Sequence, residues 1–189
     1  MVKQYLIYPI LFFSFISCQN TFRSVSLNVG DKLDSLDGVY VYYNGGMNNV
    51  SGRNLTNDGY NLGLKYQCVE FVKRYYYEKL KHKMPDSYGH AKDFFDARIN
   101  DGALNKNRGL MQYTNGSLFK PEVNDILVFG PTTFNEFGHV GIVSKVFDDK
   151  IEMVQQNVGY NTREKYTLYL KQGRYYIESN SILGWLRKK

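Results

Sequence analysis

Apolar residues recur every three or four positions along the stretch "CVEFVKRYYYEKL", which begins at Cys68. This spacing places side chains on one face of an α-helix, and the set is Cys68, Val69, Val72, Tyr76 and Leu80. The charged residues fall mostly on the other faces: Glu70, Lys73, Arg74 and Glu78. Lysines then gather and Pro85 follows. The pattern predicts an amphipathic helix that begins near Cys68 and ends near His82.

Shorter apolar runs predict β-strands. One covers Val39 to Tyr43 and leads into a loop rich in Gly and Asn. Two more, "HVGIVSKV" from His139 and "IEMVQQN" up to Asn157, are separated by the turn "FDDK", so we expect them to pair antiparallel. A second short helix is predicted at "GHAKDFFDARIN", around His90. His139 therefore lies where an apolar strand emerges from a loop.

The chain opens with an apolar run from Tyr5 to Ile16, which is too short for a comfortable membrane span and is typical of a secretory signal. The run ends in "FISC", which resembles the lipobox at which a bacterial signal peptidase cuts before the cysteine that is lipidated, here Cys18. Phe15 stands at the usual leucine position, which leaves open an ordinary signal that is cleaved nearby. We therefore interpret residues 1–18 as a lipoprotein-type signal peptide. We expect secretion across the inner membrane and lipid anchoring in the cell envelope, in the periplasm or at the outer membrane.

The remainder of the chain predicts one domain behind a linker. Residues 19–35 are polar with little periodicity and are interpreted as a tether. A chain of 189 residues that is 43% hydrophobic is long enough for one well-buried core, which we place in residues 36–189. The formal net charge of +6 suits a polyanionic neighbour, but the basic residues are scattered, so solubility alone also explains the charge. No basic helix or recognition module is visible, so we expect no nucleic-acid partner.

Cys68 lies in the first turn of the predicted helix. Free backbone N–H groups and the positive end of the helix dipole favour a thiolate there, which predicts fast labelling by iodoacetamide at pH 6 to 7. If Cys18 is acylated or removed, Cys68 has no cysteine partner. Two other interpretations stay open, a small buried apolar residue and a disulfide with Cys18. A nearby base would favour the nucleophile.

The chain has three histidines, which are the candidates for that base. His82 lies at the far end of the same predicted helix, about 20 Å from Cys68 by the helical rise of ~1.5 Å per residue, so it is excluded. His139 is favoured because it opens a strand after a loop. His90 is the alternative, although it also fits a capping or surface role.

A general base needs a third group that fixes its tautomer and orientation. Strand alternation puts Gln155 and Asn157 on one face and Gln156 on the other. Counting back from the turn brings Asn157 opposite residues 139–141, with Gln155 one pair farther on. Either amide is a candidate to orient His139, and both also fit the role of edge-strand or core polar residues.

Four blocks of the sequence together resemble one family. "GLKYQCVEFVKRYY", "GHAKDFFD", "VNDILVFG…FGHVGIV" and "IEMVQQN", in this order and spacing, are similar to the CHAP family of cysteine and histidine dependent amidohydrolases and peptidases. The cysteine block is especially similar to the amidase domain of glutathionylspermidine synthetases. The resemblance runs from about Gly38 to the terminal "ILGWLRKK".

The resemblance implies an α+β, papain-like (NlpC/P60-like) fold, with the nucleophile helix packed on a small antiparallel β-sheet. It implies that Cys68 is the nucleophile and His139 the base. The family usually has a Glu-x-Asn pair on the next strand, and here those positions hold Gln155 and Asn157. Glutamine in place of glutamate removes a charge, although a neutral amide serves the same purpose in papain-like enzymes. We favour Gln155 as the residue that orients His139.

The implied activity is hydrolysis of an amide bond through a Cys68 thiolate and the His139 base, without metal or cofactor. A secreted, lipid-anchored member of this family most naturally meets peptidoglycan, and we expect a monomer attached to the membrane through Cys18. Two alternatives remain. One is a glutathionylspermidine-type amidase, and the other is a catalytically silent surface-binding lipoprotein of the same fold.

Overall fold

The computed structural model describes Met1 and residues 26–189. In chain order the elements are β1 (Lys32–Leu36), β2 (Val39–Tyr42), β3 (Arg53–Leu55), β4 (Asn61–Leu64), α1 (Cys68–Glu78), a 3₁₀ helix (Ala91–Phe94), β5 (Ala103–Asn105), β6 (Leu110–Thr114), β7 (Ile126–Phe129), β8 (His139–Val146), β9 (Lys150–Gln155), β10 (Arg163–Lys171), β11 (Arg174–Ile177) and β12 (Ile182–Arg187). The predicted elements are present, but α1 ends at Glu78, four residues before His82.

Eight strands form one antiparallel sheet in the order β11-β10-β9-β8-β7-β12-β6-β5. Two small sheets, β1-β2 and β3-β4, complete the strands. The described chain is therefore mostly sheet with one α-helix, as expected for the α+β class. The predicted hairpin is formed by β8 and β9, and Gly141 pairs with Gln155.

The tether predicted for residues 19–35 overlaps a strand. Lys32–Leu36 pairs with Val39–Tyr42, so the predicted boundary at residue 36 is wrong and the folded unit includes the whole of β1. Asp34 on β1 also forms an ion pair with Arg163 on β10, at 2.7 Å. The alternation of the segment is weak because both strands are short and only β2 buries its side chains well.

The helix α1 is buried on more sides than its amphipathic pattern predicts. Its apolar residues pack with those of β7, β8 and β9 in one core that includes Phe71, Val72, Val128, Ile142 and Val154. The charged residues expected on outer faces are buried as well: Glu70, Lys73 and Arg74. The prediction was wrong here because the β3-β4 and β1-β2 segments cover the polar side of the helix and supply partners for its charges.

A second apolar cluster lies apart from α1. It is built around Leu127, Met153, Leu168, Ile177 and Trp185, and these five side chains are called the rear core below. All five are at most 3% exposed. Burial of this size contributes strongly to stability and brings no titratable group with it.

The predicted signal peptide and the predicted lipidation of Cys18 lie outside the described residues. Within the described part of the chain, no helix is both long and apolar enough to cross a membrane.

Candidate active site

One large cavity, of about 1170 Å³, opens at the end of the β8-β9 hairpin beside the start of α1. The four residues predicted for the site all line it: Cys68, His139, Gln155 and Asn157. Elements far apart in the sequence meet here because β8 and β9 both reach the first turn of α1. The structure therefore brings the predicted site residues together around one space.

Cys68 is the first residue of α1 and is 9% exposed. The preceding residue, Gln67, has extended backbone angles and makes no side-chain cap bond, so the first turn depends on other contacts. Burial raises the pKa of the Cys68 thiol, while hydrogen bonds from the backbone of Val140, Val69 and Cys68 itself act in the opposite direction. Val140 directly follows His139, so the sulfur lies against the start of β8.

Gln155 forms the hydrogen bond with His139. The distance from His139 Nε2 to Gln155 Oε1 is 2.9 Å, and the Gln155 Nε2 donates to the backbone carbonyl of Asn161 at 3.1 Å. An amide oxygen can only accept, so Nε2 carries the proton and Nδ1 is left as the basic nitrogen. Burial lowers the pKa of His139 from 6.5 to about 4, and the bond to Gln155 partly opposes this.

Asn157 does not reach His139 in this structure. The strand β9 ends at Gln155, and Asn157 has a φ of 72°, which turns the chain away from the hairpin. Its Oδ1 accepts from Asn44 Nδ2 at 2.8 Å, and its Nδ2 donates to Gln67 Oε1 at 2.6 Å. The hairpin count that placed Asn157 nearest to His139 was wrong because it assumed that the strand continues.

The electrostatics differ from the sequence-based expectation of a resting thiolate. Burial acts against the charged form of both groups, raising the pKa of Cys68 above its ordinary 9.0 and lowering that of His139 to about 4. Both shifts favour the uncharged forms, a thiol and a neutral imidazole, over a thiolate–imidazolium pair. The expectation considered the helix dipole but not the loss of solvent at Cys68, and here desolvation is the larger effect.

The other two histidines take different places. His82 bonds to the backbone carbonyl of Arg108 at 2.8 Å and lies outside the residues that line the cavity. His90 lines the cavity, precedes the 3₁₀ helix and packs against the ring of Phe137, with centroids 4.7 Å apart. His90 is thus placed as a wall residue of the cavity.

A buried polar group beside Cys68 was missed by the sequence analysis. Glu70, Arg74 and Gln156 are 0%, 6% and 1% exposed and bond to one another across α1 and the end of β9. Arg74 Nε donates to Glu70 Oε1 at 2.7 Å. The sequence does contain an indication of this group, because Glu70 and Arg74 have the spacing of an i,i+4 ion pair. Such pairs usually lie on exposed helix faces, so the spacing alone does not predict burial.

Within residues 26–189, no cluster of three or more His, Cys, Asp or Glu side chains is placed to hold a metal ion.

The fold and the cavity define an α+β protein with a cysteine at a helix start and a histidine bonded to an amide on the facing hairpin. Residues 57–157 match the family described as the CHAP domain. The chain belongs to the CHAP domain family.

Named relatives match most of the chain. The chain is 30% identical over 148 residues to the trypanothione synthetase of Crithidia fasciculata, a match that covers 72% of this chain and 23% of that protein. It is 27% identical over 147 residues to the bifunctional glutathionylspermidine synthetase/amidase of Escherichia coli (strain K12), covering 71% of this chain and 23% of that protein. The chain therefore spans about a quarter of the length of these curated relatives. A solved structure titled "The crystal structure of Ly7917" overlaps with a TM-score of 0.37 at 17% identity, over 72% of this chain and 56% of that chain.

Proposed function

We propose that the protein is an extracytoplasmic cysteine amidohydrolase or endopeptidase with a papain-like arrangement of its site. Membership of the CHAP family and similarity to an amidase support hydrolysis of an amide bond. The observation that carries the assignment of residues is the shared cavity, in which Cys68 at the start of α1 faces the hairpin that holds His139 bonded to Gln155.

The first half-reaction forms a thioester. The Cys68 thiol transfers its proton to His139 Nδ1 as Sγ attacks the carbonyl carbon, and the carbonyl π electrons move to the oxygen. The backbone N–H of Cys68, in the first turn, is a candidate donor to that oxyanion. The intermediate collapses, the C–N bond breaks, and His139 gives its proton to the leaving amine. Gln155 accepts from Nε2–H throughout, so the ring keeps one orientation.

The second half-reaction regenerates the thiol. His139 removes a proton from a water molecule as that water attacks the thioester carbon, and the C–S bond then breaks. The products are a carboxylic acid and an amine, and the sulfur takes back its proton. The same two side chains therefore serve both steps, with no change of oxidation state.

The substrate we favour is peptidoglycan, cut either at the sugar-to-peptide amide or in a peptide crosslink. The expected signal and the lipid anchor at Cys18 would place the domain in the cell envelope, where this polymer lies. A glutathionylspermidine-type amidase is the second candidate, because a relative that matches this chain over 147 residues is named a bifunctional glutathionylspermidine synthetase/amidase. A catalytically silent binding protein is the third, and Gln155 in place of the family's carboxylate is the sequence feature that favours it.

The test is incubation of the mature domain with purified peptidoglycan and, separately, with glutathionylspermidine, followed by mass analysis of the products. Cys68→Ala is the matched control for each substrate. New N-acetylmuramoyl or peptide ends support the first candidate, and release of spermidine supports the second. If neither substrate yields a product that depends on Cys68, the enzyme proposal is rejected in favour of the silent protein.

A further inference from the structure

The cavity depends on how two elements meet, because Cys68 begins α1 while Gln155 ends β9. Neither of these side chains bonds both elements. The distance between the sulfur and the imidazole is therefore set by other contacts between the first turn of α1 and the residues that follow β9. Gln156 is the next residue after Gln155 and lies on the opposite side of the chain, toward α1.

Gln156 connects three backbone segments through one buried side chain. Its Nε2 donates to the backbone carbonyl of Gln67 at 3.0 Å and to Glu70 Oε2 at 2.9 Å. Its Oε1 accepts from the backbone N–H of Tyr42 on β2 at 2.8 Å. Gln67 immediately precedes Cys68, so the amide of Gln156 holds the peptide group next to the nucleophile.

Only one orientation and one side-chain type satisfy all three contacts. Two acceptors, the Gln67 carbonyl and the Glu70 carboxylate, face the amide nitrogen. The Tyr42 N–H faces the amide oxygen, and Arg74 Nη2 donates to the same oxygen at 3.5 Å. A glutamate at position 156 has no N–H to offer to either acceptor. The contacts therefore require glutamine here, whereas the oxygen of Gln155 makes a contact that a carboxylate would also make.

Glu70 is held in turn as a compensated buried charge. Arg74 Nε and Asn54 Nδ2 both donate to Glu70 Oε1 at 2.7 Å. Arg74 also donates to the backbone carbonyl of Tyr40 at 2.8 Å. A buried carboxylate is costly unless it is paired and hydrogen-bonded, and here the partners are Arg74 on α1 itself, Asn54 on β3 and Gln156 after β9. The group thus joins α1, β2, β3 and the end of β9.

We propose that Gln156 and Glu70 are positioning residues that set the place of Cys68 relative to the His139–Gln155 pair. They touch neither substrate nor the reacting atoms and act through the backbone of Gln67 and the first turn of α1. Loss of either contact should let that turn move, so that the reaction slows although the catalytic side chains remain. Only the expected change in turnover rests on the proposed function.

The test compares two single variants, Gln156→Glu and Glu70→Gln, with a matched control at another buried glutamine. Gln112→Glu is that control, because Gln112 is 0% exposed, bonds to the backbone of Asp96 and lies outside the residues that line the cavity. Melting temperatures are measured for all variants, and kinetics are compared below the lowest melting transition. The double variant Glu70→Gln/Gln156→Glu exchanges the two side chains, so that a carboxylate at position 156 again faces an amide at position 70.

We expect kcat to fall by roughly ten- to a hundred-fold in each single variant, with little change in KM, and the double variant to recover part of the loss. Labelling of Cys68 by iodoacetamide at pH 7 should be several-fold faster in both single variants, because a loosened first turn exposes the sulfur. The control should lose stability only. If the labelling rate and kcat of the single variants match those of the control at an equal loss of melting temperature, these side chains only stabilise the fold.

The labelling result does not depend on any substrate. If the wild-type protein turns over nothing, faster labelling in the two single variants and not in the control still supports the positioning role while the proposed function fails. Unchanged labelling together with normal turnover rejects the positioning role and leaves the proposed function intact.

Discussion

The cavity region and the rear core bury side chains of opposite kinds. Around the cavity several buried groups are polar or titratable, among them Glu70, Gln155 and Gln156, and each of these three forms specific hydrogen bonds. In the rear core the packing is apolar, and the one buried polar atom, Trp185 Nε1, has no hydrogen-bond partner among the described residues.

This difference predicts that substitutions in the two regions have different consequences. Polar groups near Cys68 are costly to bury and contribute little net stability even when they are satisfied. Apolar side chains of the rear core supply stability by removal of surface from water and contribute no chemistry. Substitutions in the first region should therefore change rates, and substitutions in the second should change the free energy of unfolding. The predictions below test this separation.

The largest effect is expected at Cys68. Cys68→Ala removes the nucleophile and should lower turnover by roughly a thousand-fold or more, because the remaining groups offer only binding and electrostatic stabilisation. The measurement is the rate of product release by mass analysis, with thermal unfolding of the same sample. Retention of more than a tenth of wild-type activity would instead identify Cys68 as a packing residue.

The second prediction concerns the group that orients His139. Gln155→Ala removes the acceptor of the 2.9 Å bond to Nε2 and should reduce kcat by several orders of magnitude. Asn157→Ala breaks the bonds to Asn44, Gln67 and the Met47 carbonyl but none to His139, and it should cost roughly ten- to a hundred-fold.

Gln155→Glu is the control for that pair of variants. It keeps an oxygen in place for Nε2–H and restores the charge that the family usually has, so activity should be retained. If Asn157→Ala is the more damaging change and Gln155→Ala is nearly silent, Asn157 is the orienting residue and the bond to Gln155 is incidental.

The third prediction concerns pH. Burial lowers the pKa of His139 to about 4, so the base stays neutral well below 6.5 and kcat/KM should fall only as the pH drops through about 4. Burial raises the pKa of Cys68, so iodoacetamide labelling should be slow at pH 6 to 7 and rise above pH 9. A free peptide thiol measured in parallel gives the reference rate.

The variant Gln155→Glu sharpens this test. A carboxylate beside the imidazole favours the protonated form, so the acid limb of kcat/KM should move to higher pH than in the wild type. An acid limb near 6.5 in the wild-type protein would show that burial does not lower the pKa of His139. Fast labelling at pH 6 to 7 would show that the Cys68 thiolate forms at rest despite burial.

Much of the site could be predicted from sequence because its signals are local. Cys68 lies at a pattern break that marks a helix start, and His139 lies where a loop meets an apolar strand. The choice between Gln155 and Asn157 could not be made by counting residues, since the end of β9 depends on the positive φ of Asn157. Family matching favoured the residue that the structure places beside His139.

The parts that sequence did not predict depend on long-range contacts. Glu70 and Arg74 have the charge and spacing of a solvent-exposed pair, and only their cover by β2 and β3 makes them interior groups. The sequence predicts a tether where β1 forms, because the pairing of β1 with β2 and its ion pair to Arg163 are long-range contacts that a short polar segment does not indicate. The pKa of Cys68 is raised by burial, and the helical pattern alone does not predict how deeply the side chain is buried.

The smallest effect is expected in the rear core, at Trp185, which is 0% exposed. Trp185→Phe has two opposing consequences. It removes ring volume, which costs stability through a partial cavity, and it also removes the indole N–H that has no hydrogen-bond partner among the described residues. The net loss should be about 1 to 2 kcal/mol, less than the roughly 3 to 5 kcal/mol expected for Trp185→Ala.

Both Trp185 variants should keep kcat and the labelling rate of Cys68 unchanged at temperatures where they are folded, because none of the five rear-core side chains lines the cavity or lies on α1, and the cluster meets the cavity through Phe129 and Tyr166 instead. Urea unfolding gives the free energies, and product release gives kcat on the same samples. A fall in kcat that tracks the loss of stability across the two variants would contradict the separation. It would mean that the apolar packing of the sheet also holds His139 in place, through the strands β7, β8 and β9 that the two regions share.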